Sequence, residues 1–400
     1  MFPNPHDALP IPPRPSLEQH KKRAKDLVKA SQSRDPAALR AWAANWIDSL
    51  LRISNLTITP QLPVRIDLWT DQVEDFAREK LSATPTLAAA QFVIARAQGF
   101  ESWPKLVKHF EALTRENSSV NHFELAADAI VAGDTATLQR LLREHPELIR
   151  AQSTLRHHAT LLHYVSANGI EGYRQKTPKN IVRIATLLLD AKADVNALAD
   201  VYGGSTTLSL VATSIHPEHA GVQDALLQLL LDHGATFDSA NGLLINACLA
   251  NGRVHAAEFL ASRGAPLDLE AAAGLGRFDL VKTFFDESGA PQGNATKTQM
   301  ERALLWACEY GRNPVVDFLL QRGVPVQSQA NTGQTALHWA VIGGHADTIT
   351  LLLNRGADLE AKNAYGGTAL DQALWSATHG DPTIDYAHVI ALLKHHGTKL

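Results

Sequence analysis

The chain superposes on itself. Residues 303–323 align without gaps onto residues 336–356 at an offset of 33. Ala303-Leu-Leu-Trp-Ala-Cys-Glu-Tyr-Gly-Arg312 lies over Ala336-Leu-His-Trp-Ala-Val-Ile-Gly-Gly-His345, and Phe318-Leu-Leu-Gln-Arg-Gly323 over Leu351-Leu-Leu-Asn-Arg-Gly356. A period of this length is the mark of a stacked repeat, in which one supersecondary unit recurs and cannot bury its apolar face alone. Each unit reads as a short inner helix and a longer outer helix rich in Leu, Ala and Val. Gly311, Gly323, Gly344 and Gly356 fall where those helices must stop, at positions that demand the left-handed conformation.

Thr335-Ala-Leu-His338 closely matches the T-P-L-H-x-A signature, and with it the chain resembles the ankyrin-repeat family. Weaker copies carry Leu161-Leu-His163, Ala191-Lys-Ala-Asp-Val-Asn196, Leu229-Leu-Leu-Asp-His-Gly-Ala235, Phe259-Leu-Ala-Ser-Arg-Gly264 and Thr368-Ala-Leu370. The units fall at about 121–153, 155–195, 200–238, 241–266, 267–292, 298–326, 331–359 and 363–400. The expected fold is therefore an all-α ankyrin-repeat α-solenoid of helix-turn-helix repeats with β-hairpin fingers, behind a small helical domain. The division is a Pro-rich tail at 1–15, a helical N-terminal domain at 16–118 and an array of about eight repeats at 119–400. The stretch from Leu87 to Trp103 resembles the leader of a group of uncharacterised bacterial ankyrin proteins. That likeness implies a bacterial source and no particular activity.

In the N-terminal part, Ser16 and Gln19 read as a capping box for a helix to about Ser31. Asp35-Pro36 starts a second helix, which places Leu39, Trp42, Trp46, Ile47 and Leu50 on one face. Residues 53–66 read as a loop. Further helices are expected at 70–82, at 87–98 ending at Gly99, and from a Ser102 cap to about Leu113. Trp42, Trp46 and Trp103 read as core.

Spacing separates the copies. From the signature position to the Gly ending the outer helix is 18 residues in regular units, as from His338 to Gly356. It is 29 from His163 to Lys192, 25 from Ser209 to Gly234 and 26 from Asp371 to Gly397. The excess lies between the two helices of the unit, where insertions commonly serve binding. Between units, Gly323 to His338 is 15 residues, but Gly234 to Asn246 is 12 and Gly264 to Glu270 only 6. One finger must be missing and its neighbour short. The row of fingers is thus notched in mid-array, which suits a discrete pocket better than a uniform groove does.

Aligned positions nominate a binding surface: Tyr202, Tyr365 and Thr332 on fingers, Asn246 in the signature column, and Asn251, Glu309, Tyr310 and Trp375 at the inner-helix end. Inner-helix partners Ala167, Asn168, Gly274 and Leu275 belong to the same column. Tyr173 and Arg174 join them from the first insertion, where Arg174 and Lys176 are placed to meet an anionic ligand. Interfaces enrich such aromatics. Trp306 and Trp339 read as packing. His163 and His338 read as structural, hydrogen-bonding backbone and a neighbouring Thr. Glu270 and Asp371 either cap a helix start or sit as perturbed acids in a pocket, with capping the simpler reading.

Two functions remain. One is a binding module holding a protein or peptide partner in the concave face. The other is a small-molecule binder or atypical enzyme using the notched groove, with Glu309, Glu270, His216 and Tyr310 as its acid, base and hydrogen-bonding groups. No P-loop, G-x-S-x-G, H-E-x-x-H or dinucleotide fingerprint is present, which favours binding over catalysis. The net charge of -4 gives no basic face for nucleic acid, and no run of 18 apolar residues forecasts a membrane span. No cofactor or metal is expected. His157-His158 diverge, and His216-Pro-Glu-His219 falls in a loop without a helix to align it. Two isolated cysteines, Cys248 and Cys308, and the absence of a secretory signal suit the cytoplasm.

Overall fold

The computed structural model describes residues 4, 7–12, 15–53, 62–82, 85–115, 117–237, 244–293 and 295–397. It is all-α. Among the described residues β structure is limited to isolated antiparallel bridges, Gln152 with Thr160, Ala199 with Ser205, Phe285 with Pro291 and Gln329 with Thr335. These mark the bases of the fingers. The chain divides into two compact units, residues 1–241 and 242–400.

The first unit opens with helices Leu17–Ser31, Ala38–Ile53, Leu62–Leu81, Leu87–Ala97 and Trp103–Leu113. Ser16 caps the first by accepting from the Gln19 N–H. Trp46, Trp69, Leu27, Ile94, Phe100 and Phe110 fill the core, together with Leu155 from the first finger. The third helix begins at Leu62, so the expected loop at 53–66 is shorter; residues 54–61 lie outside the described part. The error came from the absence of a cap or turn signal that separates coil from helix there. Ser102 stands at the N-cap of its helix but makes no side-chain capping bond. The N-terminal tail is not free along its described length. Ala8 and Leu9 are buried, and the Leu9 N–H donates to the Ala97 carbonyl at 2.8 Å.

Helical pairs follow: Ser119–Ala132 with Thr135–Glu144, the 3-10 turn Leu161–Ser166 with Ile181–Asp190, and Thr207–Thr213 with Gln223–Asp232. The two insertions lie between the partners, as the spacing requires. The first holds a short 3-10 turn at Gly172–Arg174, and the second a five-residue helix at Ile215–His219. His216 and His219 therefore sit on helix rather than loop, started by the Ser214 hydroxyl accepting from the His216 N–H.

The second unit stacks five pairs: Leu244–Ala250 with Val254–Ala261, Leu269–Gly274 with Phe278–Lys282, Lys297–Glu309 with Asn313–Gln321, Ala336–Ile342 with Ala346–Asn354, and Ala369–His379 with Tyr386–Gly397. Leu304, Val316, Leu337, Ile349 and Val389 belong to one continuous apolar core between neighbouring pairs. Residues 265–268 connect Gly264 to the next inner helix with no bridge, so the missing finger is present as a gap. The shortened finger before Asn246 falls on residues 238–243, outside the described part. Gly274 allows the close approach that follows, since a Cβ there would stand 2.6 Å from a methyl of Leu249.

Signature histidines bind each inner helix to the next finger. Nδ1 of His338 meets the Thr335 hydroxyl at 2.9 Å and accepts from the Thr335 N–H, while Nε2 donates to the Gly367 carbonyl at 3.1 Å. His163 repeats the pattern with Thr160 and the carbonyls of Ala197 and Ser205. Asp371 takes the same place by accepting from the Thr368 N–H and hydroxyl, which makes it a cap.

Burial pushes the His163 imidazole down to about 4 against its backbone partners, and that of His109 down to about 4. Both are neutral in the fold and in the unfolded chain above about pH 6.5. As pH falls from 6.5 to 4 the unfolded chain takes up protons that the fold refuses, so stability falls through that window. Equilibrium denaturation from pH 7.5 to 4 is expected to show His163→Gln with a shallower acid slope than the parent, by up to about 3 kcal/mol across the window. Parallel slopes would exclude this assignment.

Candidate functional site

The inner-helix ends of the second unit are tied by side chains from later repeats. The last four carbonyls of a helix lack internal partners and must find others. Arg312 Nε donates to the Gly274 carbonyl at 3.0 Å, His345 Nε2 to that of Glu309 at 2.9 Å, and the Tyr386 hydroxyl to that of Ile342 at 2.8 Å. The Tyr310 hydroxyl reaches the Leu249 carbonyl at 2.6 Å, passing over the repeat between. Tyr310, nominated as a contact residue, is half-buried and its hydroxyl serves as a structural tie. Its ring also stacks on Trp306, centroids 6.2 Å apart, and Trp306 lies 6.4 Å from Trp339.

Glu309, beside Tyr310, keeps one buried carboxylate oxygen without a hydrogen bond, and burial lifts its carboxyl to about 7. Glu270 is buried and paired with Arg302 Nε at 3.1 Å; burial raises its carboxyl and Arg302 opposes this. It does not cap. Asp268, two residues earlier, accepts from the Ala271 N–H at 2.8 Å and is the cap. Asp268 also accepts from the Asn246 amide at 2.9 Å, while Asn251 is exposed and turns its amide back to the Ala247 carbonyl. Ala167, Gly274 and Leu275 are buried, so that column does not face solvent throughout. The reason is that short inner helices with small residues are overlain by longer neighbouring side chains.

Exposure in the second unit concentrates elsewhere. Tyr365 is 82% exposed, Trp375 57% and Leu374 47%, all in the last repeat. A finger turn carries Tyr365, held by its N–H donating to Asn363 Oδ1 at 3.0 Å. Trp375 stacks on His379 one turn along, centroids 4.7 Å apart and planes 10° from parallel. Thr332 and Ala364 join adjacent fingers, the Ala364 N–H donating to the Thr332 carbonyl at 2.9 Å.

In the first unit the inserted loop turns inward. Arg174 is buried and donates to Glu124 at 2.6 Å, Glu171 at 3.2 Å and Asp128 at 2.9 Å through Nε. It cannot meet an external anion as expected, because three carboxylates of its own chain already surround it. Burial would lower the guanidinium, but these carboxylates raise it well above its ordinary value. Tyr173 is half-buried beside it, the guanidinium lying 5.7 Å from its ring centre. The sequence offered a partial signal, Glu171 three residues before Arg174. Lys176 is exposed, and Tyr202 is 53% exposed on its finger with φ +49°. His216 belongs to this unit, whereas Glu309, Glu270 and Tyr310 belong to the second; the four are not described as one cluster. Among the described residues, no group of three or more His, Cys, Asp or Glu is arranged to hold a metal ion, and no helix is long and apolar enough to cross a membrane.

Comparison with known families decides the repeat type. A family model for ankyrin repeats in three copies matches residues 269–363 and 304–397. Residues 269–397 are ankyrin repeats. No curated protein is similar enough to count as a match. Among solved structures, the human ASB11 ankyrin repeat domain shares 22% identity, with 68% of this chain and 96% of that one covered and a TM-score of 0.36. The ankyrin repeat domain of Bcl-3, described as a member of the IkappaB family, shares 21% over 68% and 97%, with a TM-score of 0.32. At such TM-scores the ankyrin assignment rests on the family match and the repeat geometry.

Glu309 gives a test opposite in sign to the histidines. The unfolded chain ionises near 4.5 but the fold holds the proton to about 7, so stability falls as pH rises between those values. Glu309→Gln removes this loss and is expected to stabilise the protein at pH 8 by up to about 2 kcal/mol, the partial exposure of the side chain screening the rest. Tyr310→Phe should cost about 1 kcal/mol through the lost hydroxyl bond to Leu249. Thermal denaturation at pH 5 and 8 measures both.

Proposed function

We propose that this protein is an interaction module that holds a protein or peptide partner against the ankyrin repeats of its second unit. One observation carries the reading: among the described residues of that unit, the large exposed apolar side chains, Tyr365, Leu374 and Trp375, fall within eleven residues of one repeat. Aromatic side chains left largely in water at a finger turn and on an inner helix lie outside the apolar core of the stack. They are the residue types that anchor partners. Ankyrin repeats as a class serve protein interaction, which favours the same conclusion, though a class alone says little about any one site.

The catalytic alternative finds less support. Tyr310 is committed to a backbone carbonyl and Glu270 to Arg302, and the imidazole nearest Glu309, that of His345, is spent on the Glu309 carbonyl. Both thiols are buried, Cys248 pushed up to about 12 and Cys308 raised further, which makes them poor nucleophiles. Two buried cysteines outside any disulfide accord with a reducing cytoplasm. The bacterial source rests on the likeness of the leader.

Affinity capture with the full chain, followed by direct binding of each captured protein in purified form, tests the reading. Tyr365→Ala combined with Trp375→Ala is expected to weaken a genuine partner at least tenfold while the melting temperature stays within about 2 °C. A partner that binds the double variant as tightly as the parent would remove this surface from consideration.

A further inference from the structure

A cavity of about 220 Å³ lies within the first unit. The N-terminal segment closes one side: Ala8 lines it, and the Gln98 amide holds the Pro10 carbonyl at 3.3 Å. Leu155 and Val201 give it an apolar wall, and Arg156 and Asp200 stand on its lining with Tyr202. His157 and Glu171, only 3% and 1% exposed, supply its polar wall.

Around that wall hydrogen-bonding capacity is in surplus. His157 Nε2, Glu171 Oε2, Tyr164 Oη, Glu124 Oε1 and His109 Nε2 are all buried without a hydrogen-bond partner. The Tyr164 ring lies 6.3 Å from that of His157 and 5.8 Å from the Arg174 guanidinium, behind the wall. Folded proteins leave few buried polar groups unanswered, and each needs an explanation such as water or a guest. His157 Nε2 and Glu171 Oε2 stand 3.7 Å apart, too far for a direct bond.

The atoms restrict the guest. The Ala159 N–H donates to His157 Nδ1 at 3.0 Å, which fixes the ring proton on Nε2 and makes that atom a donor. The same bond occupies the only lone pair of the neutral ring, so His157 is no general base. Carboxylate oxygens, those of Glu171 and Asp200 on the lining, accept. Donors and acceptors so mixed match hydroxyl groups, which do both. A cation would compete with Arg174, already centred among Glu124, Asp128 and Glu171, and an anion would face those carboxylates. The volume is below the roughly 300–1,000 Å³ of sites for drug-sized ligands. Tyr202 offers a flat ring, and its backbone is held in the left-handed region at φ +49°, as is that of His158 at φ +47°. Such strain costs a folded protein stability and collects at ligand sites.

We infer that this cavity binds a neutral, polyhydroxylated small molecule of monosaccharide size, with His157 and Glu171 as its polar wall and Tyr202 as the platform for its ring. None of these residues belongs to the aromatic surface proposed for partner binding.

Saturation-transfer NMR and titration calorimetry on the full chain, with D-glucose, D-galactose, N-acetylglucosamine and myo-inositol as probes at millimolar concentration, provide the test. At least one probe is expected to bind with a stoichiometry of one. Tyr202→Gly should weaken it tenfold or more yet melt no lower than the parent, because glycine accepts the left-handed backbone without strain. Glucosamine and glucuronate, the cationic and anionic relatives of glucose, should bind more weakly than the best neutral probe. Silence from all four neutral probes overturns the inference and leaves the cavity to water only. Binding indifferent to Tyr202→Gly overturns it as well, and so does tighter binding of either charged relative.

Discussion

Stacked helical pairs face one recurring difficulty: each short inner helix ends in carbonyls that its own turns cannot satisfy. In the second unit a side chain from a later repeat answers each of the first four inner helices, by guanidinium, imidazole or phenol. Apolar contact between Leu, Val and Ala is tolerant of small slides. A hydrogen bond to one named carbonyl is not, and it fixes how each pair sits on the last. Arg312 and His345 occupy equivalent places in consecutive repeats, so the position carries the role while the residue type varies. The first unit uses amides for the same purpose, Asn168 to the Leu210 carbonyl and Asn180 to that of Gly133.

Ionisable groups were taken into these interiors on two different terms. Neutral His163 and His338 serve as spacers between backbone groups, and protonation opposes their fold. Arg174 is instead a permanent cation inside a ring of carboxylates, where burial of Glu171 would raise its carboxyl but chiefly the Arg174 charge reverses this to about 2. Glu124, also inside the ring, is raised by burial. One insertion thereby becomes a clamp, fastening residues 171–174 to the helix Ser119–Ala132.

Repetition made much of this fold readable in the sequence. Offsets between signature positions located the inner and outer helices, both insertions in the first unit and the gap after Gly264, because each reflects a fixed count of residues per turn and per finger. Asp371 was readable as a cap from its place three residues after Thr368. Burial was harder to read. Arg174 and Lys176 look alike as charges on an inserted loop, yet one is enclosed and the other exposed, and only contacts with Glu124 and Asp128, some 50 residues earlier, distinguish them. Tyr310 and Tyr365 look alike as aromatics in a binding column. The carbonyl that claims Tyr310 lies 61 residues away, and no local pattern announces it. Glu270 took the role of its neighbour Asp268 in the sequence reading because alignment across a deleted finger leaves the helix start uncertain by a residue or two.

The reach of Tyr310 to Leu249 has a mechanical consequence. A stack held only by adjacent contacts peels from its end one layer at a time. Here the bolt spans two interfaces, so the layers at 244–261, 269–282 and 297–321 resist a pulling force together. Drawn from the C-terminus, the last two layers would part singly, and the three before them would give way in one larger step.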